Sequence, residues 1–174
     1  MSSVRWLLTA LVAALFVLTG CSTPSASEAA TVNGVPIPVS AVEGPVQAVG
    51  VPSGESADPN ATVLTYAIRG EIARTIAAEQ GIQLTGDPRT AALAALDPAL
   101  AKYADDPQAS SLVNNLLDFN VVVGAIGEAA YLQRVAQTPV EVNPRFGSWS
   151  IESAAVSLDG GQLSEPWATP SAPA

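Results

Sequence analysis

The chain offers a single thiol, at Cys21, and no imidazole anywhere in its 174 residues. That inventory excludes internal disulfides, Cys/His zinc sites, Ser-His-Asp triads and Cys-His dyads. The chemistry left to Cys21 is that of a nucleophile offered to a group from outside the chain, since the thiolate is the form that attacks. The adjacent carboxylates Asp105 and Asp106 are a second candidate, for general acid/base work. Nothing supplies a partner for the second catalytic role, and acids placed directly before Pro107 more commonly start a helix. A third constellation, Arg145, Phe146 and Trp149, combines a cation with two aromatic rings. It could form a lip that contacts a peptide, or, more plainly, a turn and a core aromatic. Catalytic residues, cofactors and metal ligands are not expected.

The position of Cys21 gives it a context. One positive charge, Arg5, precedes the apolar run Trp6 to Leu18, which is followed by the small residues Thr19 and Gly20. This is the layout of a secretory signal peptide. The run is shorter than the roughly 20 apolar residues of a membrane-spanning helix. Leu18, Thr19, Gly20 and Cys21 resemble the lipobox of bacterial lipoproteins, in which the cysteine receives a diacylglycerol and the chain is cut in front of it. The expectation is a signal peptide over 1–20 and lipid attachment at Cys21. The mature chain is then held on the extracytoplasmic face of the cell membrane, because two or three acyl chains anchor stably where one does not. An ordinary secreted protein whose cysteine falls at the cut is the alternative. Loss of Arg5 leaves six basic residues against sixteen acidic ones, a net charge of −10, which disfavours nucleic acid as a partner.

The elements that must carry these residues follow from periodicity. Residues 21–29 are small and polar and read as a flexible tether; 30–163 read as one domain; and 164–174 (SEPWATPSAPA) read as a loose, disordered tail. Val32 and Val35 flank Asn33-Gly34, the dipeptide suited to a tight hairpin turn, so a strand, a turn and Ile37 are expected. Pro38 and Ser40 start a weak helix over Val39 to Val49, interrupted at Gly44-Pro45, with a loop from Gly50 to Asn60. From Ala61 to Gln80, Leu64, Ile68, Ile72 and Ile76 recur at helical spacing, and Gly81 suits the C-terminal cap. A helix over Arg89 to Leu96 turns Leu93 and Leu96 inward, and Asp97-Pro98 breaks or restarts it. Asp106-Pro107 opens a long segment to Gln137 whose broad apolar stripe implies a central, buried helix. Within it FNVVVGAIG could instead be a buried strand, although length favours the helix. Gly124 and Gly127 could allow close helix packing or mark a hinge. Beyond Pro139 the alternation of Val140 and Val142, then Trp149 and Ile151, about the turn Asn143 to Gly147 predicts short strands. A strand near each end of a helical body suggests that the two pair. The predicted fold is mostly α, with a small sheet closing the ends.

The order of these features resembles the SurA-type N-terminal chaperone domain. The matching residues are Val32, Asn33, Gly34 and Ile37 before the first helix, and Gly81, Ile82, Leu84 and Thr85 at the close of the long one, over about Ala30 to Trp149. The closing segment VNPRFGSW is similar to that of short actinobacterial lipoproteins of this group. The resemblance implies a helical cradle that holds unfolded or newly exported polypeptides without ATP and without catalysis. Relatives that carry a parvulin-type prolyl isomerase insert it before the final strand; only a few residues separate Gln137 from Val142, too few for such a domain. Two readings from different classes follow. One is a holding chaperone, which needs an exposed apolar groove between helices. The other is a structural or adaptor lipoprotein that binds one folded envelope partner.

Overall fold

The computed structural model describes residues 24–50 and 58–158. The signal peptide, Cys21 and the 164–174 tail lie outside the described residues, as does most of the expected Gly50–Asn60 loop. The described chain is mostly helical, with short strands in two small antiparallel sheets.

Strand β1 (Glu28–Val32) and strand β2 (Val35–Pro38) form the expected hairpin. Asn33 and Gly34 take φ of 51° and 78°, the left-handed pair that a two-residue turn demands, and Val32 faces Val35 across it. Strand β3 (Val140–Val142) adds to the other edge of β1, placing Ala30 opposite Val142 and Val32 opposite Val140, so the two ends of the helical body do pair. The ordered chain begins earlier than a tether over 21–29 implies. Ser25 and Glu28 close a turn through Glu28 N–H to Ser25 O, Ala29 is fully buried, and the Asn143 amide donates to Ser25 O and Glu28 O.

Helix α1 (Ser40–Val49) runs unbroken through Gly44-Pro45, contrary to the expected interruption. Pro45 removes one N–H from the helical ladder but is itself buried, and a Cβ on Gly44 would stand 3.2 Å from the Gln108 carbonyl oxygen. Burial against the neighbouring elements offsets a weak local propensity.

Helix α2 (Pro59–Gln80) is the axis of the fold. It starts two residues before the expected Ala61 because the Asp58 carboxylate accepts from the N–H groups of Asn60 and Ala61 at 2.7 and 3.0 Å, with Pro59 in the first turn. Leu64, Ile68, Ile72 and Ile76 form its buried stripe. Gly81, with φ of 69°, ends it, and Ile82 N–H reaches back to Ala77 O. Helix α3 (Asp87–Ala95) follows, but none of its residues is buried; Leu93 is only half-buried, short of the inward position expected for it. Asp97 restarts the chain as the single turn α4 (Pro98–Ala101) by capping Ala99 N–H.

The long apolar segment is two helices. Helix α5 (Ser110–Ile126) ends at Gly127, whose φ of 83° turns the chain into helix α6 (Glu128–Gln137). FNVVVGAIG is helical to Ile126, so its β-branched residues are carried by burial of Val121 and Val122. A 3-10 turn (Pro144–Phe146) leads to β4 (Ser148–Ser150), which pairs with β5 (Ala155–Ser157), Trp149 facing Val156. Ile151 lies past the end of β4 and is exposed.

Candidate functional site

Of the residues singled out for chemistry, Cys21 lies outside the described residues, and Asp106, Arg145 and Phe146 are each engaged in structural contacts. Asp106 uses its carboxylate to accept from Gln108 N–H and Ala109 N–H at 2.8 and 2.9 Å, closing the turn that precedes α5, while Asp105 beside it is exposed. Arg145 is ion-paired with Glu43 of α1 at 3.3 Å and lies over the Phe146 ring, 4.5 Å from its centroid. Phe146 is 6% exposed and belongs to the core, and Trp149 is half-buried against it. The Trp149 indole N–H is buried without a hydrogen-bond partner, the one such side-chain atom among the described residues. No group of three or more acidic or cysteine side chains that could hold a metal occurs among the described residues. No helix among them is long and apolar enough to cross a membrane.

The structure instead brings together a groove and a polar cluster on the same helices. The groove, about 630 Å³, runs between α3 and α5. Ala91, Ala92 and Ala95 form one wall, Val121, Gly124 and Ala125 the other, with Ile82 and Pro88 at its end and only Gln83 and Asn120 contributing amides. The space is left open because the side chains on both walls are small. A Cβ on Gly124 would have nothing within 4 Å, so this glycine is not needed for a close helix contact. The sequence raised Gly124 and left its role open; small residues on one face of α3 were the additional signal.

A charge cluster that the sequence reading missed links α2, α3 and α5. Asp118, with only 9% of its side chain exposed, accepts from Arg74 of α2 and Arg89 of α3, one on each carboxylate oxygen and both at 2.9 Å. Arg74 also donates to Glu71 and to the buried Asn115 amide oxygen, and Arg89 to Asn114. Burial acts to lower the Arg74 pKa, but hydrogen bonds and charge from Glu71 and Asp118 outweigh it, so the guanidinium is held above its ordinary value. The available signal was polar: Asn115 and Asp118 interrupt the apolar face of α5 three residues apart.

A second cavity, about 500 Å³, lies between α2 and β5 and is more polar. On its wall Arg69 donates to the Ala154 and Ser153 carbonyls and stands 5.7 and 5.5 Å from the Tyr66 and Phe119 ring centroids. Thr65 accepts from Val156 N–H at 2.9 Å while donating to Ala61 O, which bolts β5 to α2. Tyr131 meets Phe119 edge to face and donates its hydroxyl to Arg69 O at 3.0 Å. Burial raises the Tyr131 pKa well above its ordinary value, with the Arg69 charge pulling weakly the other way. The folded state therefore holds this proton more tightly than the unfolded chain. Its contribution is complete below about pH 10 and is lost as pH rises beyond that. Thermal melts from pH 8 to 11 should show a steeper alkaline loss for the native chain than for Tyr131→Phe, which gives up about 1 kcal/mol at neutral pH for the missing hydrogen bond. Parallel slopes would contradict this.

The class defined by these features is a mostly helical domain closed by short antiparallel strands, with an apolar groove between two of its helices. Compared with protein-family models, with curated proteins and with solved structures, the chain matches none.

Proposed function

We propose that the chain is a lipid-anchored, extracytoplasmic holding chaperone of SurA-like type without an isomerase domain, whose α3–α5 groove takes apolar side chains of unfolded or newly exported polypeptides. The single observation that carries this reading is the groove itself. It is exposed at Ala91, Ala95, Gly124 and Ala125, walled by small apolar residues, and free of charged side chains. Such a surface rewards burial of large apolar groups without selecting one sequence. Cys21, seven residues before β1, is the proposed lipid attachment point; Cys21→Ser should move the chain out of the membrane fraction, and its continued sedimentation with membranes would remove the anchor from the proposal.

The test is aggregation of chemically unfolded α-lactalbumin in the presence of residues Ser22 to Ala174 at near-stoichiometric ratio, at low and high salt. Suppression that salt does not weaken supports an apolar cradle. Gly124→Leu is the informative variant. It fills the groove while replacing a helix-weakening glycine in open space, so it should gain about 0.5–1 kcal/mol of stability and lose capture together. Full capture by this stabilised variant would place the client elsewhere. No suppression by the folded native chain would move the search to an adaptor role, through crosslinking of a folded envelope partner.

A further inference from the structure

We infer that α3 is a movable wall of the groove, latched shut by Arg89; this rests on the groove reading above and adds its regulation. Three observations converge on α3. None of its nine residues is buried, so no core side chain fastens it. Among the described residues, α5 is the one element it packs against extensively, and the shared face is the small-residue groove. Its entry is Gly86, with φ of 70° and no neighbour within 4 Å of a notional Cβ, and its exit is the Leu96-Asp97-Pro98 joint.

What remains to hold α3 is polar and one-sided. Asp118, Asn115, Arg74 and Glu71 belong to α2 and α5, which form the rigid half, and Arg74 keeps Asp118 paired whether or not α3 is docked. Among the described residues Arg89 is the one α3 side chain that hydrogen-bonds across to another helix, gripping Asp118 on the oxygen that Arg74 leaves free and Asn114 beside it. Withdrawal of Arg89 thus leaves no uncompensated buried charge, because Asp118 retains Arg74 and the exposed Asn114 retains water. The latch opens cheaply, and opening widens the groove for a bulky segment. A nine-residue helix detached from its support does not hold its own hydrogen bonds in water, so release reads out as amide exchange.

Hydrogen exchange of the full chain in detergent, native against Arg89→Met, tests this. Amides of 89–95 should exchange about tenfold faster in the variant, as expected for loss of a charged hydrogen-bonded contact, while those of α2 and α5 keep their protection. Raising salt to about 1 M should speed α3 exchange in the native chain and have no further effect on Arg89→Met. Arg89→Lys, which keeps the charge but loses the two-pronged grip, should fall between them. Unchanged α3 protection in Arg89→Met overturns the latch, as does an equal rise in α2, which would signal global destabilisation. Capture of unfolded α-lactalbumin by the same proteins is read separately: faster α3 exchange with no capture by either protein keeps the latch and removes the chaperone reading.

Discussion

Replacing Gly70 by alanine should lower the melting temperature by about 10 °C, although alanine is the better helix former. Gly70 lies at a close approach of α2 and α5. A Cβ there would stand 2.6 Å from the Asn115 amide oxygen, 2.7 Å from its Cβ and 2.8 Å from its Cα. The last of these is backbone, so no rotamer change relieves the clash, and the two central helices must separate along the buried stripe of Ile68 and Ile72. The helix-propensity gain of about 1 kcal/mol is outweighed by overpacking and by hydrogen bonds lost when Asn115 moves away from Arg74, for a net loss of about 2–3 kcal/mol. Gly124→Ala, a glycine on the facing helix with open space around it, is the control and should raise the melting temperature. Two variants moving in the same direction would show that this helix contact is not as close as the geometry states.

Asp118→Ala should be the most damaging change to a charged residue. It strips two guanidinium groups of their shared carboxylate at a point where that side chain is 9% exposed. Breaking a buried pair costs about 3–5 kcal/mol, but Arg74 and Arg89 are 40% and 29% exposed, so water recovers part of this and about 2–3 kcal/mol is expected. The cluster as a whole is worth less than this loss suggests. The triple variant Asp118→Leu, Arg74→Met, Arg89→Met should regain most of the stability, because no charge is then left unpaired. Denaturant melts of the two variants decide the matter; equal losses in both would mean that the cluster contributes net stability beyond its own desolvation.

These sites differ in how far they could be read from residue order. The four-residue spacing of Leu64, Ile68, Ile72 and Ile76, the Gly81 cap, the Asn33-Gly34 hairpin and the Asp97-Pro98 restart all rest on interactions within a few residues, which is why they are legible locally. The Gly44-Pro45 pair misled because its local penalty is overridden by burial against elements distant in sequence. Gly127 divided a stripe that periodicity alone carries through, since a single left-handed residue leaves the apolar count nearly intact. The alternative of a core aromatic rests on Trp149, whereas Phe146 is the buried ring and Trp149 is half-buried, a difference that only packing decides.

The sequence by itself determined that this is a mostly helical domain with a strand near each end, and that with no histidine and one cysteine it has no imidazole and no internal disulfide. Tertiary structure alone decided what the remaining glycines and the polar residues of the helix interface do. Gly44, Gly70, Gly124 and Gly127 are the same residue in a string. In space one meets a carbonyl, one meets a facing helix, one opens a groove and one turns the chain. Asn115, Asp118, Arg74 and Arg89 become a single cluster only when three helices meet, because a charge finds its partner by distance in space and its cost by the water that packing removes.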